Sequence, residues 1–387
     1  MPPLGIPAIY CRKLNMEAGS TTKGRGSFWV PRKAIEVLLG HQATATQIGT
    51  YLVIARHTDA GGRFSSAGLK AIKNAMGIGD AMAERAVSDL QAITPAHSNK
   101  QVLYTPEKWR QQQNEQIPER PIELARIRWV INDYKVTPAD RIWFSNELVD
   151  GYGQFRQPLR RLKQCEDVAA RLLLKLYEQN AMEQWGGISP HPNIYQKFTM
   201  EKKWSRLGFN IWHAKGDQDT AWQNLSALVT GKILGETDIL ADDNWKIFWN
   251  AFEALQLCGF IYETIVVLDR EVTNQDAQPI CILDTKNRHG DTPKGEEGIG
   301  GDTARLAGKL GHPVTDKNGQ FYGTYAAIIP ACITPHVAGI YRLRFRVTNP
   351  LNYGVMPTWA RIRQIQEEAG KWIAIVSQRV AQAQPRS

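Results

Sequence analysis

The chain lacks several motifs that would indicate a particular chemistry. It has no GxxxxGK[ST] loop for nucleotide phosphates, no HExxH zinc motif and no GxSxG nucleophile turn. Its five cysteines include no CxxC pair, and none lies at zinc-finger spacing from a histidine. We therefore expect no catalytic centre, no cofactor and no bound metal.

Signals for membranes and secretion are also missing. No apolar stretch approaches the roughly 18 residues that a membrane span needs. The first residues, MPPLGIPAIYCRK, do not have the charged start and apolar run of a secretory signal. An odd number of cysteines without such a signal fits a reducing compartment. We expect a soluble, cytoplasmic protein that does not contact membranes.

Composition favours a folded protein with an anionic partner. The 387 residues are 43% hydrophobic and include 12 tryptophans, so two or three modules with their own cores are expected. The net charge of +9 favours nucleic acid over membrane as the partner.

The most informative stretch is Ser65 to Ile93, which predicts two helices joined by a sharp turn. Ser65 is expected to cap the first helix, Gly77 to make the turn and Asp80 to cap the second helix. Apolar residues recur at helical spacing in both segments; they are Leu69, Ile72 and Met76, then Ala83, Ala86, Val87 and Leu90. An earlier helix is predicted over Thr46–His57.

These three helices resemble the DNA-reading core of winged helix-turn-helix proteins. The resemblance implies that the second helix of the pair lies in a major groove of double-stranded DNA, with Arg85, Ser88 and Gln91 directed at the bases. Short strands are expected at Arg63–Phe64 and Gln101–Tyr104, the latter as part of a wing. The alternative is a helical hairpin packed in another kind of core.

Five segments follow from shifts in composition. They are a basic arm (1–33), a winged helix-turn-helix domain (34–110), a polar linker (111–121), a middle helical domain (122–233) and a C-terminal domain (234–387). The arm, with Lys23 and Arg25, either follows the DNA backbone or is a tail whose Phe28 and Trp29 pack on the first domain.

Two later regions resemble further winged modules. A helix or helix pair over Gln157–Asn180 precedes a short hairpin through Ile194–Met200, and its Arg160 and Arg161 are expected to contact DNA. A helix over Asn244–Cys258 precedes a hairpin that ends at Lys286. The predicted fold class is α+β and helix-rich, with tandem winged-helix-like modules.

The strand Tyr341–Val347 has arginine at every second position. Arg342, Arg344 and Arg346 therefore share one face, and their spacing of about 7 Å matches the scale of phosphates along a nucleic-acid strand. Contact with an acidic protein partner and protection of a sheet edge are the alternatives.

One pattern resembles the D…(D/E)xK signature of restriction-type nucleases. Asp269 ends one apolar run, and Asp284 and Lys286 end the next. The resemblance implies two carboxylates that hold Mg²⁺ and a lysine that positions the attacking water. The alternative is a simple hairpin.

The sequence thus predicts a DNA-binding protein without a catalytic centre, either a transcriptional regulator or a replication initiator of a mobile element, with possible homodimer or protein partners. The alternatives are a non-catalytic DNA-binding subunit of a larger nucleoprotein or phage-defence complex, and the nuclease.

Overall fold

The computed structural model of this chain describes residues 26–59, 61–94, 101–113, 127–131, 136–152, 156–181, 187–188, 194–222, 231–234, 242–274, 276–286, 298–314, 324–347 and 358–383. About 46% of these residues are helical and about 30% lie in strands. They form a helical part, built mostly from residues before 182, and a large sheet built from later strands.

The helical part begins with an alternation of helices and short strands. Its elements are β1 (Ser27–Pro31), α1 (Arg32–Gly40), α2 (Ala45–Arg56), β2 (Phe64–Ser65), α3 (Leu69–Met76), α4 (Asp80–Ala92), β3 (Leu103–Tyr104), α5 (Pro106–Gln113), β4 (Trp129–Ile131), β5 (Arg141–Ser145), α6 (Glu147–Asp150), α7 (Pro158–Gln164) and α8 (Glu166–Glu178).

Helix α2 begins where the sequence supplies a capping box. The Thr44 hydroxyl accepts from the Gln47 backbone N–H, and the Gln47 side chain accepts from the Thr44 N–H. The predicted helix over Thr46–His57 is confirmed to within one residue at each end. Gly49 allows α3 to approach, because a Cβ there would lie 2.3 Å from the Met76 sulfur. Helices α2, α3 and α4 therefore pack as a compact group.

A three-stranded antiparallel sheet lies beside these helices. Strands β2 and β3 both pair with β4, so the order is β2-β4-β3. The short strands expected near Phe64 and Tyr104 are confirmed at Phe64–Ser65 and Leu103–Tyr104. The Trp129 indole N–H donates to the Ala67 carbonyl at 2.7 Å and ties β4 to the segment before α3.

One apolar core extends through the helical part and includes residues of β1. Phe28 on β1 stacks on Phe144 of β5 with ring centroids 5.5 Å apart, and Phe144 contacts Tyr177 of α8 at 4.4 Å. Cys165, between α7 and α8, forms a disulfide with Cys258. The sequence did not predict this disulfide, because it indicated a reducing compartment. Residues 1–25 of the predicted arm lie outside the described residues.

The chain continues through mixed elements. They are β6 (Asn180–Ala181), β7 (Gly187–Ile188), β8 (Ile194–Arg206), β9 (Phe209–Trp222), α9 (Gly231–Leu234), α10 (Asp242–Leu257), β10 (Ile261–Leu268), β11 (Pro279–Lys286), α11 (Gly300–Lys309), β12 (Thr324–Pro330), β13 (His336–Leu343) and α12 (Thr358–Ala383).

The large sheet consists of six antiparallel strands in the order β11-β10-β13-β8-β9-β12. It curls into a nearly closed, barrel-like form, so β11 and β12 approach each other. Helix α12 packs against both of these strands and against α11. Its residues Ala369 and Trp372 contact the apolar cluster that includes Ile265 and Tyr325.

The prediction of a helix-rich fold with tandem winged-helix-like modules is therefore wrong. The helix pair over Gln157–Asn180 is confirmed as α7 and α8, but the following hairpin belongs to the large sheet, where β8 runs for 13 residues. The hairpin of β10 and β11 is also no wing. β10 lies between β11 and β13, and all eight of its residues are buried.

Candidate functional site

The corner between α3 and α4 depends on a glycine. Gly77 has φ of 59° and its N–H donates to the Lys73 carbonyl at 2.8 Å, which ends α3. A Cβ at this position would lie 2.8 Å from Cδ of Arg160, so the glycine also permits α7 to lie against the turn. Sequence reasoning identified the turn residue correctly.

The predicted helix caps at this corner are wrong. Helix α3 begins at Leu69 after Gly68, and α4 begins after Gly79. Ser65 is buried in β2 instead, where its hydroxyl donates to the Ile54 carbonyl at 2.7 Å. Asp80, the first residue of α4, forms an ion pair with Lys73 across the turn.

Helix α4 has one buried face and one exposed face. The predicted buried stripe is confirmed, since Ala83, Ala86, Val87 and Leu90 are all buried. Arg85 and Ser88 are exposed, and Gln91 is half-buried. Two acidic residues, Glu84 and Asp89, are also accessible on this helix. The α4 surface by itself is therefore not basic.

Positive charge lies next to α4, on α3 and α7. Lys70 and Lys73 lie on α3, and Arg160 and Arg161 lie on α7, which packs against α3. Arg160 is exposed and Arg161 is half-buried. We call the exposed residues of α4 together with these four cations the corner surface. Lys23 and Arg25 lie outside the described residues.

The expected row of exposed guanidiniums on the last strand is wrong. Strand β13 ends at Leu343, and Arg342, Arg344 and Arg346 are exposed by only 1%, 5% and 4%. Arg344 Nε donates to the Gly259 carbonyl at 2.7 Å, and Arg346 donates to the Tyr262 hydroxyl. The predicted strand Tyr341–Val347 is also wrong beyond Leu343, because residues 344–347 follow β13 as a turn and an irregular segment. The buried arginines join segments of the protein instead.

The nuclease-like pattern is also not assembled as predicted. Strands β10 and β11 are antiparallel, so Asp269 lies beyond the Leu268–Pro279 end of the hairpin. Asp284 pairs with Ile265, four residues before Asp269, which separates the two carboxylates by about 13 Å along the strand. Asp269 lines an open cleft of about 670 Å³ at that end of the sheet.

A different carboxylate, Glu263, lies beside Asp284 and Lys286. Glu263 pairs with Lys286 in register, and the Lys286 ammonium lies 3.0 Å from Glu263 Oε2. Asp284 is the diagonal neighbour on the same face, where Cα atoms lie about 7–8 Å apart. The Tyr325 hydroxyl donates to Asp284 Oδ2 at 2.9 Å. We call Glu263, Asp284, Lys286 and Tyr325 the polar cluster.

The four residues of the polar cluster differ in their exposure to solvent. Glu263 and Tyr325 are buried, Asp284 is half-buried and Lys286 is exposed. Burial raises the pKa of Glu263; the Lys286 ammonium opposes this effect, and Asp284 adds to it. Burial, followed by the Asp284 carboxylate, raises the pKa of Tyr325. Within the described residues, Glu263 Oε1 has no hydrogen-bond partner.

Sequence reasoning missed Glu263, although a signal was present. It is the only charged residue in the run FIYETIVVL, which is otherwise apolar apart from Thr264 and a tyrosine hydroxyl. A charged residue inside such a run is typical of a buried, paired group. Its partner could not be identified without the register of β10 and β11.

The described residues contain neither a cluster of side chains for a metal ion nor a helix that could span a membrane. No group of three or more His, Cys, Asp or Glu side chains is arranged to hold a metal ion there. None of the helices described is both long enough and apolar enough to cross a membrane.

Comparison with known protein families, curated proteins and solved structures finds no match to this chain. Its function must therefore be argued from the geometry of its own residues.

Proposed function

We propose that this protein binds double-stranded DNA through the corner surface. The observation that carries the proposal is the group α2, α3 and α4, in which Gly77 sets a sharp corner and α4 keeps Arg85 and Ser88 exposed. A helix presented in this way has the dimensions to enter a major groove. The adjacent sheet in the order β2-β4-β3 is the second feature in common with winged helix-turn-helix domains.

Because charge is distributed unevenly over the corner surface, we assign different roles in DNA binding to its helices. Because α4 has accessible acidic residues, attraction to DNA comes from α3 and α7 rather than from α4. Arg160 and Lys70 then contact phosphates, which sets the position of the protein on the duplex. Arg85 and Ser88 read base edges, and the acidic neighbours disfavour incorrect sequences.

Sequence-specific binding suits a regulator or a replication initiator of a mobile element. A specific reader prefers its own site over random duplex by about 10³ or more at physiological salt. A non-catalytic subunit of a larger nucleoprotein complex would bind with a steep salt dependence and little preference.

Selection from a randomised duplex library, followed by binding titrations, tests the proposal. We expect an enriched motif, for which Arg85→Ala costs about 1–3 kcal/mol while affinity for random duplex is unchanged. Arg160→Ala should weaken binding to both duplexes equally and reduce the salt slope by about 0.9.

Arg305→Ala is the matched control, because Arg305 is also an exposed helical arginine but lies on α11. It should leave both affinities unchanged. If Arg85→Ala reduced binding to random and selected duplex equally, α4 would not be the reading helix. Recovery of DNA without a motif would favour the nucleoprotein subunit.

A further inference from the structure

The turn that joins β8 to β9 has an exposed leucine in an unfavourable backbone conformation. Arg206 pairs with Phe209, so Leu207 and Gly208 form a two-residue turn, with φ of 59° and 81°. Glycine and asparagine are the usual residues at the first position of such a turn, because a larger side chain is strained where φ is positive. Leu207 is 38% exposed, so packing in the core does not account for a leucine at this position. Backbone strain of this kind is concentrated at functional sites.

Neighbouring residues hold this turn in place. Arg379 of α12 donates to the Leu207 carbonyl at 2.6 Å, and its guanidinium lies 6.0 Å from the centre of the Phe209 ring. Phe209 is buried in the apolar cluster that the sheet forms with α11 and α12, and Trp204 packs against the same cluster. The exposed leucine is therefore presented to solvent on a rigid support.

Positive charge surrounds this turn. Residues 198–215 include four lysine or arginine residues and one acidic residue. The acidic residue, Glu201, forms an ion pair with Lys203. Lys202 and Arg206 are both exposed. The four residues that give the turn its charge and its apolar point are called the hairpin tip; they are Lys202, Arg206, Leu207 and Arg379.

We infer that the hairpin tip is a second DNA contact, in which Leu207 inserts between base steps in the minor groove and bends the duplex. Proteins that bind the minor groove frequently insert an apolar side chain such as leucine in this way, and cations beside it neutralise phosphates. A membrane surface is disfavoured, because a single leucine offers much less apolar area than an interfacial helix. The inference rests on the proposed binding of DNA, but it places this contact outside the corner surface.

Energy transfer between fluorophores on the two ends of a random-sequence duplex of about 30 base pairs measures the bend. The full-length chain should bring the ends closer together. Leu207→Asn should still bind but leave the ends as far apart as in the free duplex, because asparagine cannot replace the apolar side chain. Since asparagine tolerates a positive φ, the same change should raise the melting temperature of the protein by roughly 2 °C.

Leu257→Asn is the matched control, because Leu257 is 51% exposed but lies at the end of α10. This variant should bend the duplex as the wild type does. Arg206→Ala should weaken binding to random duplex and reduce the salt slope by about 0.9, because it removes one phosphate contact.

Equal bending by the wild type and Leu207→Asn, or DNA bound without a bend, would overturn this inference and leave the corner surface intact. Failure to bind any duplex would overturn the proposed function as well. A lower melting temperature for Leu207→Asn would contradict the strained turn. Binding to phosphatidylserine vesicles that Leu207→Asn abolishes, with the DNA bend unaffected, would assign the hairpin tip to a lipid surface instead.

Discussion

Arg171 and Glu263 are both charged and buried, one in the helical part and one in the large sheet, yet their surroundings differ. Arg171 on α8 is 5% exposed, and its guanidinium donates to the carbonyls of Ile233, Gln42 and Ala43 at 2.7 to 3.3 Å. Glu263 has one carboxylate oxygen paired with Lys286 and one without a hydrogen-bond partner in the described residues. The first charge joins segments of the fold, whereas the second is only partly paired and lies against the backbone of Gly339.

The comparison predicts that Arg171 is essential for stability. Arg171→Met would leave three carbonyls without this donor, two of them in buried hydrogen bonds, so we expect a loss of about 3 kcal/mol or more in the free energy of unfolding. Urea denaturation followed by circular dichroism measures this quantity. Lys175→Met on the same helix removes a half-buried ion pair with Glu178, which keeps Arg32 as a partner, so this change should cost less than Arg171→Met. If both variants lost the same free energy of unfolding, the hydrogen bonds of Arg171 would not have the structural importance that we assign to them.

A second prediction concerns the glycine beside Glu263. Gly339→Ala places a methyl group within 1.9 Å of Oε1 and 2.7 Å of the Gln196 Cβ. The strands or the carboxylate must move, and we expect a loss of about 1–3 kcal/mol in the free energy of unfolding. Gly308→Ala is the control, because nothing lies within 4 Å of its added Cβ and it stands inside α11. Gly308→Ala should increase the free energy of unfolding by about 0.5–1 kcal/mol. A decrease for this variant would contradict the open space beside Gly308 in α11.

The smallest expected effect is a pH dependence from His213 on β9. Burial, as the largest influence, lowers the pKa of His213 from 6.5. The folded protein therefore binds fewer protons than the unfolded chain, so this stability is present above about pH 6.5 and is lost as the pH falls. Between about pH 7.5 and pH 5, the melting temperature should fall more for wild type than for His213→Gln. An identical fall in both proteins would show that His213 is not responsible.

The helical part and the large sheet also differ in how well the sequence predicts them. Helix α4 was predicted with its buried stripe, because helical periodicity and the Gly77 turn are local signals. The large sheet was not predicted, since β8 pairs with β13, more than 130 residues later, and no local pattern specifies that pairing. Arg342 illustrates the consequence: alternation gives its face, but only the sheet order reveals that the face is covered.

The candidate site residues also divide into those that local sequence patterns predict and those that depend on long-range strand pairing. Arg85 and Ser88 follow from helical spacing alone, and the structure leaves both exposed. Asp284 and Lys286 were identified from a linear motif, but their neighbouring carboxylate is Glu263 rather than Asp269. The spacing of a motif could not distinguish these two, because the choice depends on the antiparallel register of β10 and β11.

The most direct test of the account is hydrogen–deuterium exchange of the full-length chain with and without its selected DNA duplex. We expect slower exchange in α4 and α7 on DNA binding, and unchanged exchange in β10 and β13. Protection confined to the large sheet, with α4 unaffected, would contradict the assignment of DNA binding to the corner surface.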